Sequence, residues 1–328
     1  MTQFPQPKKD SLQKLLGEYC SNIGWISVGG HSRRRVTFQI DGKNRLGFFT
    51  EKSHNLVEIE NDPSAEKEIS ALIYPLKNFL KTQEQNFYSQ ASVTLFDNGL
   101  DLVLTAKKEP NFSQVQKLIA FAKEKNLNIS SRVKDSISPI FLLRKNQIFF
   151  TDFKIDLDSD IFIQATKSGL ENIIKIIRSG VSQPIHVADI YAGFGAYSFG
   201  IHDLAKSICA FEGSQKMIDL LNKNAAANDL GSKIKGAVRD VFSSPLTARE
   251  LKLFDLVIIN PPRNGASPQV LEIAKSQIKN LIYVSCNPES FRRDAKILID
   301  AGFKIKNLTA IDQFYATKHL ELIANFGK

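Results

Sequence analysis

Cysteine is scarce in this chain of 328 residues, and its spacing excludes the common cysteine-based sites. Cys20, Cys209 and Cys286 lie too far apart for a zinc knuckle or a four-cysteine iron–sulfur cluster. Three cysteines also do not make an even disulfide framework. We therefore expect no metal ion and no iron–sulfur cluster, and we ask what surrounds each thiol.

Long apolar segments are also missing. No apolar run could span a bilayer, and the polar residues 1–9 are not typical of a signal peptide. No internal repeat or low-complexity tract occurs. These absences predict a soluble cytoplasmic protein without a membrane partner, and we expect a monomer.

Acidic residues are fewer than basic ones. The chain has 43 Lys and Arg against 34 Asp and Glu, which gives a formal net charge of +9. This excess favours a polyanionic partner such as RNA, although many basic proteins bind no nucleic acid.

The pattern of secondary structure changes near residue 160. Residues 1–160 combine helices with two hairpins at Asp41-Gly42 and Asn98-Gly99, which predicts an α+β domain. Residues 161–328 alternate strictly between strand and helix and close with an antiparallel pair, near residues 304–311 and 319–326. This alternation predicts an α/β domain with a doubly wound, mostly parallel, Rossmann-like sheet.

Two apolar strands of that sheet end in polar turns. Residues 254–259 lead into Asn260-Pro-Pro-Arg263, and residues 281–284 lead into Ser285-Cys286-Asn-Pro288. Such strand ends meet at the carboxyl edge of a parallel sheet, where ligands bind. Cys286 is either a small buried hydrophobic residue or, because it lies past the apolar block, a functional thiol. Cys209 lies within an apolar strand pattern, and Cys20 carries no signal of a partner.

A glycine loop follows the first strand of the alternating domain, in Asp189-Ile-Tyr-Ala-Gly193-Phe-Gly195. Its spacing is neither that of a dinucleotide fingerprint nor that of a phosphate-binding loop. Glu212 ends the next strand, where an acid can hold ribose hydroxyls, and Asp240 ends the third. This set fits S-adenosylmethionine better than a dinucleotide.

Taken together, the motifs resemble those of the RNA uracil-5-methyltransferase family, in the family's order. The matching segments are Phe162-Ile-Gln164, the Asp189–Gly195 loop, Asn260-Pro-Pro-Arg-Asn-Gly265, Val284-Ser-Cys-Asn-Pro288, Phe291-Arg-Arg-Asp294, Asp312-Gln-Phe314 and His319-Leu-Glu321. The resemblance implies a class I S-adenosylmethionine-dependent methyltransferase domain over residues 161–328. It further implies that Cys286 is the nucleophile and that Glu321 is the base.

The resemblance also assigns binding residues. The positions implied for S-adenosylmethionine are Gln164, Tyr191, Gly193, Gly195, Ala196, Glu212, Asp240 and Asn260. Asn260 is expected to contact the substrate base, Arg263 is expected to bind the substrate, and Arg33, Arg34 and Arg35 are expected to contact RNA phosphates. The arginine triplet with the α+β segment resembles the RNA-contacting domain of ribosomal members, so we expect 23S ribosomal RNA rather than tRNA as the target.

The chain departs from the family in ways that leave alternatives open. Asn260 stands where the family usually has Asp, and Ala196 stands where some members have a polar residue. We also expect no amino-terminal oligonucleotide-binding barrel and no iron–sulfur cysteines. The alternatives are a tRNA uridine C5-methyltransferase, an amino-methyltransferase that uses Asn-Pro-Pro, and an RNA-binding relative without catalysis.

Overall fold

The computed structural model describes residues 5–50, 53, 55–181, 185–314 and 317–328. It forms two compact units, of which the first contains Met1–Val28 with Ser168–Lys328 and the second contains Gly29–Lys167. This division differs from the predicted boundary at residue 160, because the amino-terminal segment belongs to the first unit. That segment consists of helix α1 (Pro5–Leu16) and strand β1 (Gly24–Ser27).

The second unit is a seven-stranded mixed sheet with two helices and a separate two-stranded ribbon. Its elements are β2 (Arg35–Ile40), β3 (Leu46–Phe49), β4 (Leu56–Glu58), α2 (Lys67–Lys81), β5 (Tyr88–Phe96), β6 (Gly99–Ala106), α3 (Phe112–Glu124), β7 (Asn128–Val133), β8 (Ser136–Phe141), β9 (Asn146–Phe149) and β10 (Lys154–Leu157). The sheet order is β4-β3-β2-β5-β6-β7-β8. Both predicted hairpins are present, as the pairs β2/β3 and β5/β6. The α+β prediction is confirmed.

The first unit is built on an eight-stranded sheet in the order β1-β16-β17-β15-β14-β11-β12-β13. Its further elements are α4 (Lys167–Ser179), β11 (Ile185–Ile190), α5 (Ala196–Gly200), β12 (Ala205–Glu212), α6 (Gln215–Ala227), β13 (Ile234–Val238), β14 (Leu256–Ile259), α7 (Ser267–Lys275), β15 (Asn280–Ser285), α8 (Pro288–Asp300), β16 (Lys304–Asp312) and β17 (Glu321–Gly327).

Strands β11 to β15 run parallel, and β17 lies antiparallel between β15 and β16. The predicted doubly wound, mostly parallel sheet is confirmed. All four residues of β14 are buried, as expected for a central parallel strand with both faces covered. The amino-terminal segment joins this unit because β1 pairs in parallel with β16 and because Leu12 and Leu16 of α1 lie in its core.

The parallel strands bring four chain segments to one edge of the sheet. The carboxyl ends of β11, β12, β14 and β15 all point to this edge, which is where ligands bind in open α/β sheets. Within the described ranges, no helix is long and apolar enough to cross a membrane.

Candidate active site

The loop between β11 and α5 has an unusual backbone. Tyr191, Gly193 and Gly195 have φ angles of 63°, 56° and 90°. Position 195 favours glycine, because side chains rarely adopt a φ of 90°, and a Cβ atom there would also lie 2.8 Å from Cδ1 of Leu221. Around Gly193, apart from its chain neighbours, no atom of the described residues lies within 4 Å of the Cβ position. The backbone at Gly193 therefore borders open space that a ligand can approach.

Glu212 fastens this loop to the end of β12. Its Oε2 accepts a hydrogen bond from the N–H of Gly193 at 3.1 Å, and its Oε1 accepts one from the N–H of Ser214 at 3.0 Å. Asp240, two residues beyond β13, is exposed. Hydrogen bonds from Ser243 hold the pKa of the Asp240 carboxyl below its usual value. Both acids are thus fixed by neighbouring N–H groups at the same sheet edge.

Two buried polar atoms near the loop have no hydrogen-bond partner in the described part of the chain. They are the hydroxyl of Tyr191 and Oδ1 of Asp189. Oδ2 of Asp189 accepts from the hydroxyl of Ser198 at 2.7 Å. Burial raises the pKa of Tyr191 to about 12 and that of Asp189 to about 6. Because an unpaired buried polar atom is costly, these two atoms fit a site that is completed by a polar ligand.

Cys286 and Glu321 are brought together by strand pairing. Ser285, the last residue of β15, pairs with Leu322 of the antiparallel β17. Cys286 directly follows Ser285 and Glu321 directly precedes Leu322, so both lie at the same end of this strand pair, and the charge of Glu321 acts on the thiol. Glu321 is 5% exposed, and its Oε2 accepts a hydrogen bond from Nε2 of Gln313 at 3.2 Å.

The Cys286 thiol is half-buried, and its charge state is influenced by both neighbours. Burial raises the pKa of the thiol, the negative charge of Glu321 raises it further, and the positive charge of Arg263 lowers it. The thiolate is the reactive form of cysteine. At neutral pH the isolated site therefore favours the protonated thiol.

The Asn-Pro-Pro-Arg turn lies beside the cysteine turn. The side chain of Asn287 donates a hydrogen bond to the carbonyl oxygen of Arg263 at 2.9 Å. Asn260 follows β14 directly and is half-buried, and its N–H donates to the carbonyl of Ile190 at 3.2 Å. The Asn287 side chain thus joins the two strand ends singled out in the sequence, and the Asn260 main chain joins the end of β14 to the end of β11.

A cavity of about 1030 Å³ opens at this edge within the first unit. Its wall includes Cys286, Arg263 and His319, and also one side of helix α1. No group of three or more His, Cys, Asp or Glu side chains among the described residues is arranged to hold a metal ion.

The arginine triplet of the second unit was predicted to contact RNA phosphates, and the structure contradicts this prediction for one of its three residues. Arg34 is 2% exposed, and its Nε donates to the carbonyl of Gln164 at 3.1 Å, so the prediction that Arg34 contacts phosphate is wrong for this structure. Arg33 donates to the carbonyl of Arg35, and Arg35 pairs with Asp160 at 2.9 Å. Phosphate binding by Arg33 and Arg35 stays a prediction. Gln164 belongs to the second unit, and its contact with a cofactor also stays a prediction.

Two residues at the site were missed in the sequence. Gln313 holds Glu321, and Lys8 of α1 lies in the cavity wall and pairs with Asp312 at 2.6 Å. A signal for Gln313 was present, because Asp312-Gln-Phe314 is one of the matching segments. No local pattern in residues 5–16 indicates that this helix would lie beside Cys286.

Comparison with known proteins supports one family. The model of the family described as tRNA (uracil-5-)-methyltransferase matches residues 2–324. An RNA methyltransferase of Caulobacter vibrioides is 32% identical over 307 residues, which cover 90% of this chain and 73% of that protein. A 23S rRNA (uracil(1939)-C(5))-methyltransferase of Aeromonas salmonicida is 28% identical, over 96% of this chain and 75% of that protein.

The solved structures that are similar to this chain include one that covers nearly all of it with a high TM-score. It is the Pyrococcus abyssi tRNA (uracil-54, C5)-methyltransferase in complex with S-adenosyl-L-homocysteine, with a TM-score of 0.77. The match covers 98% of this chain and 82% of that protein, at 22% identity. It supports the fold of the chain.

The electrostatics of Cys286 can be tested with Glu321→Gln. Removing the negative charge should lower the pKa of the thiol, so that alkylation of Cys286 by iodoacetamide becomes severalfold faster at neutral pH. The measurement is the pH dependence of the alkylation rate, followed by mass spectrometry of the Cys286 peptide. Glu289→Gln is the matched control, because Glu289 is an exposed acid of the same cavity wall. Equal pH profiles for Glu321→Gln and the native protein would contradict this account.

Proposed function

The chain belongs to the tRNA (uracil-5-)-methyltransferase family, and we propose that it methylates C5 of a uridine in RNA through a covalent adduct on Cys286. The observation that carries this proposal is the proximity of Cys286 to the buried Glu321: each adjoins the last β15/β17 pair, Ser285 with Leu322, and the charge of Glu321 raises the pKa of the thiol. A thiol and a carboxylate at one sheet edge suit a reaction that needs a nucleophile and a later base.

Cys286 acts first in the proposed reaction. C5 of uracil is a weak nucleophile, so the reaction begins at C6. The Cys286 thiol releases its proton to solvent, and the Sγ thiolate then adds its electron pair to C6 and forms an S–C6 bond. The π electrons of the C5–C6 bond then move toward O4, and C5 gains the electron density of an enolate. Arg263, which lowers the pKa of the thiol, favours the thiolate in this step.

Glu321 acts second. Once C5 carries both its hydrogen and the new methyl group, the Glu321 carboxylate takes the proton from C5. The electron pair of the C–H bond restores the C5–C6 double bond, and the S–C6 bond breaks to release the Cys286 thiolate. The hydrogen bond from Gln313 fixes the orientation of this carboxylate.

The residues at the glycine loop fit the methyl donor. S-adenosylmethionine, when bound, supplies an electrophilic methyl group. The open backbone at Gly193, the carboxylate of Glu212 and the unpaired hydroxyl of Tyr191 would hold it. Cofactor contacts by Gln164, Gly195, Ala196, Asp240 and Asn260 are further proposals from the sequence.

Asn260 is proposed to orient the base. Its Oδ1 can accept a hydrogen bond from uracil N3–H, and its Nδ2 can donate to an adjacent uracil carbonyl. An amide thus offers both partners that uracil requires, without the negative charge of an aspartate. Arg263 is proposed as a second substrate contact.

We propose 23S ribosomal RNA as the target. The support is the similarity to the Aeromonas salmonicida enzyme, whose alignment covers 96% of this chain. An amino-methyltransferase would have no use for a thiol opposite a carboxylate, and Arg263 occupies the position where such enzymes place an aromatic residue.

Replacement of the nucleophile tests the mechanism. Cys286→Ala should abolish methyl transfer, because no S–C6 bond can form. Native protein should form a covalent complex, stable in detergent, with 23S rRNA transcribed with 5-fluorouridine, because Glu321 cannot remove fluorine as a proton. Glu321→Gln should accumulate the same type of complex with ordinary uridine. Cys20→Ala is the control and should behave as the native protein does; full activity of Cys286→Ala would refute the mechanism.

Replacement of Glu212 tests the cofactor site. Glu212→Ala should weaken S-adenosylmethionine binding by about tenfold or more, the loss typical of a hydrogen bond to a charged group. Isothermal titration measures this affinity, with Glu171→Ala, an exposed acid on α4, as the control. If the native protein binds no S-adenosylmethionine, the alternative of an RNA-binding relative without catalysis is favoured.

Mapping of modified nucleotides tests the target. RNA from cells with and without the gene is digested and compared by mass spectrometry. We expect a 5-methyluridine in 23S rRNA that is lost with the gene and is restored by the native protein but not by Cys286→Ala. Loss of this nucleotide from tRNA alone would replace the ribosomal target with the tRNA alternative.

A further inference from the structure

We propose that Lys14, Arg263 and Lys318 form a phosphate rim at the cavity of Cys286, and that this rim binds the backbone of single-stranded RNA beside the target nucleotide. The proposal rests on the proposed function for the class of ligand. The three side chains line one cavity within the first unit. The phosphate rim is therefore distinct from the arginine triplet of the second unit.

The wall of the cavity is strongly basic. Its charged side chains are Lys8, Lys14, Arg263, Arg292 and Lys318, with Glu289 as the acidic member. A concave surface with this excess of positive charge attracts polyanions. Glu289 lies in the first turn of α8, where a carboxylate stabilises the end of the helix.

Intramolecular ion pairs use two of the five cations. Lys8 pairs with Asp312 at 2.6 Å, and both side chains are mostly buried. Arg292 pairs at 3.1 Å with Glu18, which follows α1. Both pairs attach the α1 segment to the rest of the first unit. These cations therefore hold the wall in place and contribute less to ligand binding.

The three residues of the phosphate rim differ from Lys8 and Arg292 in that they form no ion pair with a carboxylate of the described residues. Lys14, Arg263 and Lys318 are exposed, and none of them has a carboxylate partner in the described ranges. An exposed cation without a carboxylate partner can bind a phosphate without first breaking an internal ion pair. The rim thus contains the available positive charge around Cys286.

Helix α1 presents Lys14 from a fixed position. Leu12 and Leu16, one turn apart, are 3% and 0% exposed and belong to the core of the first unit. Lys14 lies two residues from each, on a different side of the helix, and it also lines the cavity. Because the helix is already packed, RNA binding needs to order only the lysine side chain.

Single-stranded RNA matches this cavity better than a duplex does. The volume of about 1030 Å³ is at the upper end of small-molecule sites, and a uridine must leave its base stack before Cys286 can reach C6. Proteins that bind single strands combine a cationic groove with apolar contacts to the bases. Pro7, Leu15 and Pro288 supply apolar surface in the same wall.

The test is the salt dependence of RNA affinity for Lys14→Ala and Lys318→Ala. The probe is a fluorescent oligouridine single strand without S-adenosylmethionine, and affinity is measured by anisotropy over a series of salt concentrations. Each substitution should weaken binding and reduce the slope of log K against log salt by about 0.7, the value for one lost phosphate contact on a single strand.

Lys9→Ala is the matched control. Lys9 is an exposed lysine of the same helix, but it lies over the ring of Trp25, 5.2 Å from its centroid, in a different cavity. Its loss should leave the slope at the native value. If Lys14→Ala and Lys318→Ala give the same slope as Lys9→Ala, the phosphate rim is refuted, whether or not the protein methylates RNA.

Two further outcomes separate the rim from the proposed function. A reduced slope together with native protein that makes no 5-methyluridine would support the rim and refute the proposed reaction. The second outcome concerns a uridine–adenosine duplex of the same length. If it binds as tightly as the single strand, and if Lys14→Ala and Lys318→Ala reduce its salt slope by the same amount, the assignment to single strands is refuted.

Discussion

The antiparallel pairing of β15 with β17 is the interaction on which the candidate site depends. It joins two segments far apart in sequence and fixes which residue of one faces which residue of the other. A shift of one residue would turn every side chain of β17 to the opposite face of the sheet. The register therefore determines both the core packing of β17 and the approach of Glu321 to Cys286, so stability and chemistry constrain it together.

The proximity of Glu321 to Cys286 also creates a repulsion between the carboxylate and the thiolate, and this repulsion affects the proposed reaction. Glu321 raises the pKa of the Cys286 thiol, so the carboxylate disfavours the thiolate that the proposed reaction requires. In that proposed reaction the penalty ends when Sγ shares its electron pair with C6, because the negative charge then moves into the uracil ring. Relief of this repulsion during bond formation returns the free energy that was needed to form the thiolate beside Glu321. Arg263 offsets part of the penalty at the start.

Local sequence predicted the strand ends that carry the site, but it did not predict the long-range strand pairing that brings the amino-terminal segment beside them. The buried apolar runs of β14 and β15, each followed by proline, indicated that Asn260 and Cys286 lie at one edge. The parallel pairing of β1 with β16, Gly24 opposite Thr309, has no local signal, so the amino-terminal segment was assigned to the wrong part of the chain. Strand alternation could have corrected the assignment of Arg34. It falls on the same face as the buried Val36 and Phe38, and a side chain on that face is directed into the core.

A chain of contacts links helix α1 to the proposed base. Lys8 of α1 pairs with Asp312, the last residue of β16, and the next residue, Gln313, holds Glu321. Lys8 and Asp312 have side chains only 8% and 12% exposed, so the loss of either partner would leave a mostly buried charge without its pair. The position of α1 and the orientation of the Glu321 carboxylate are therefore coupled through two consecutive residues, Asp312 at the end of β16 and Gln313 directly after it. Helix α1 therefore has two roles. It forms part of the cavity wall beside the Cys286 thiol, and it stabilises the segment that orients the Glu321 carboxylate.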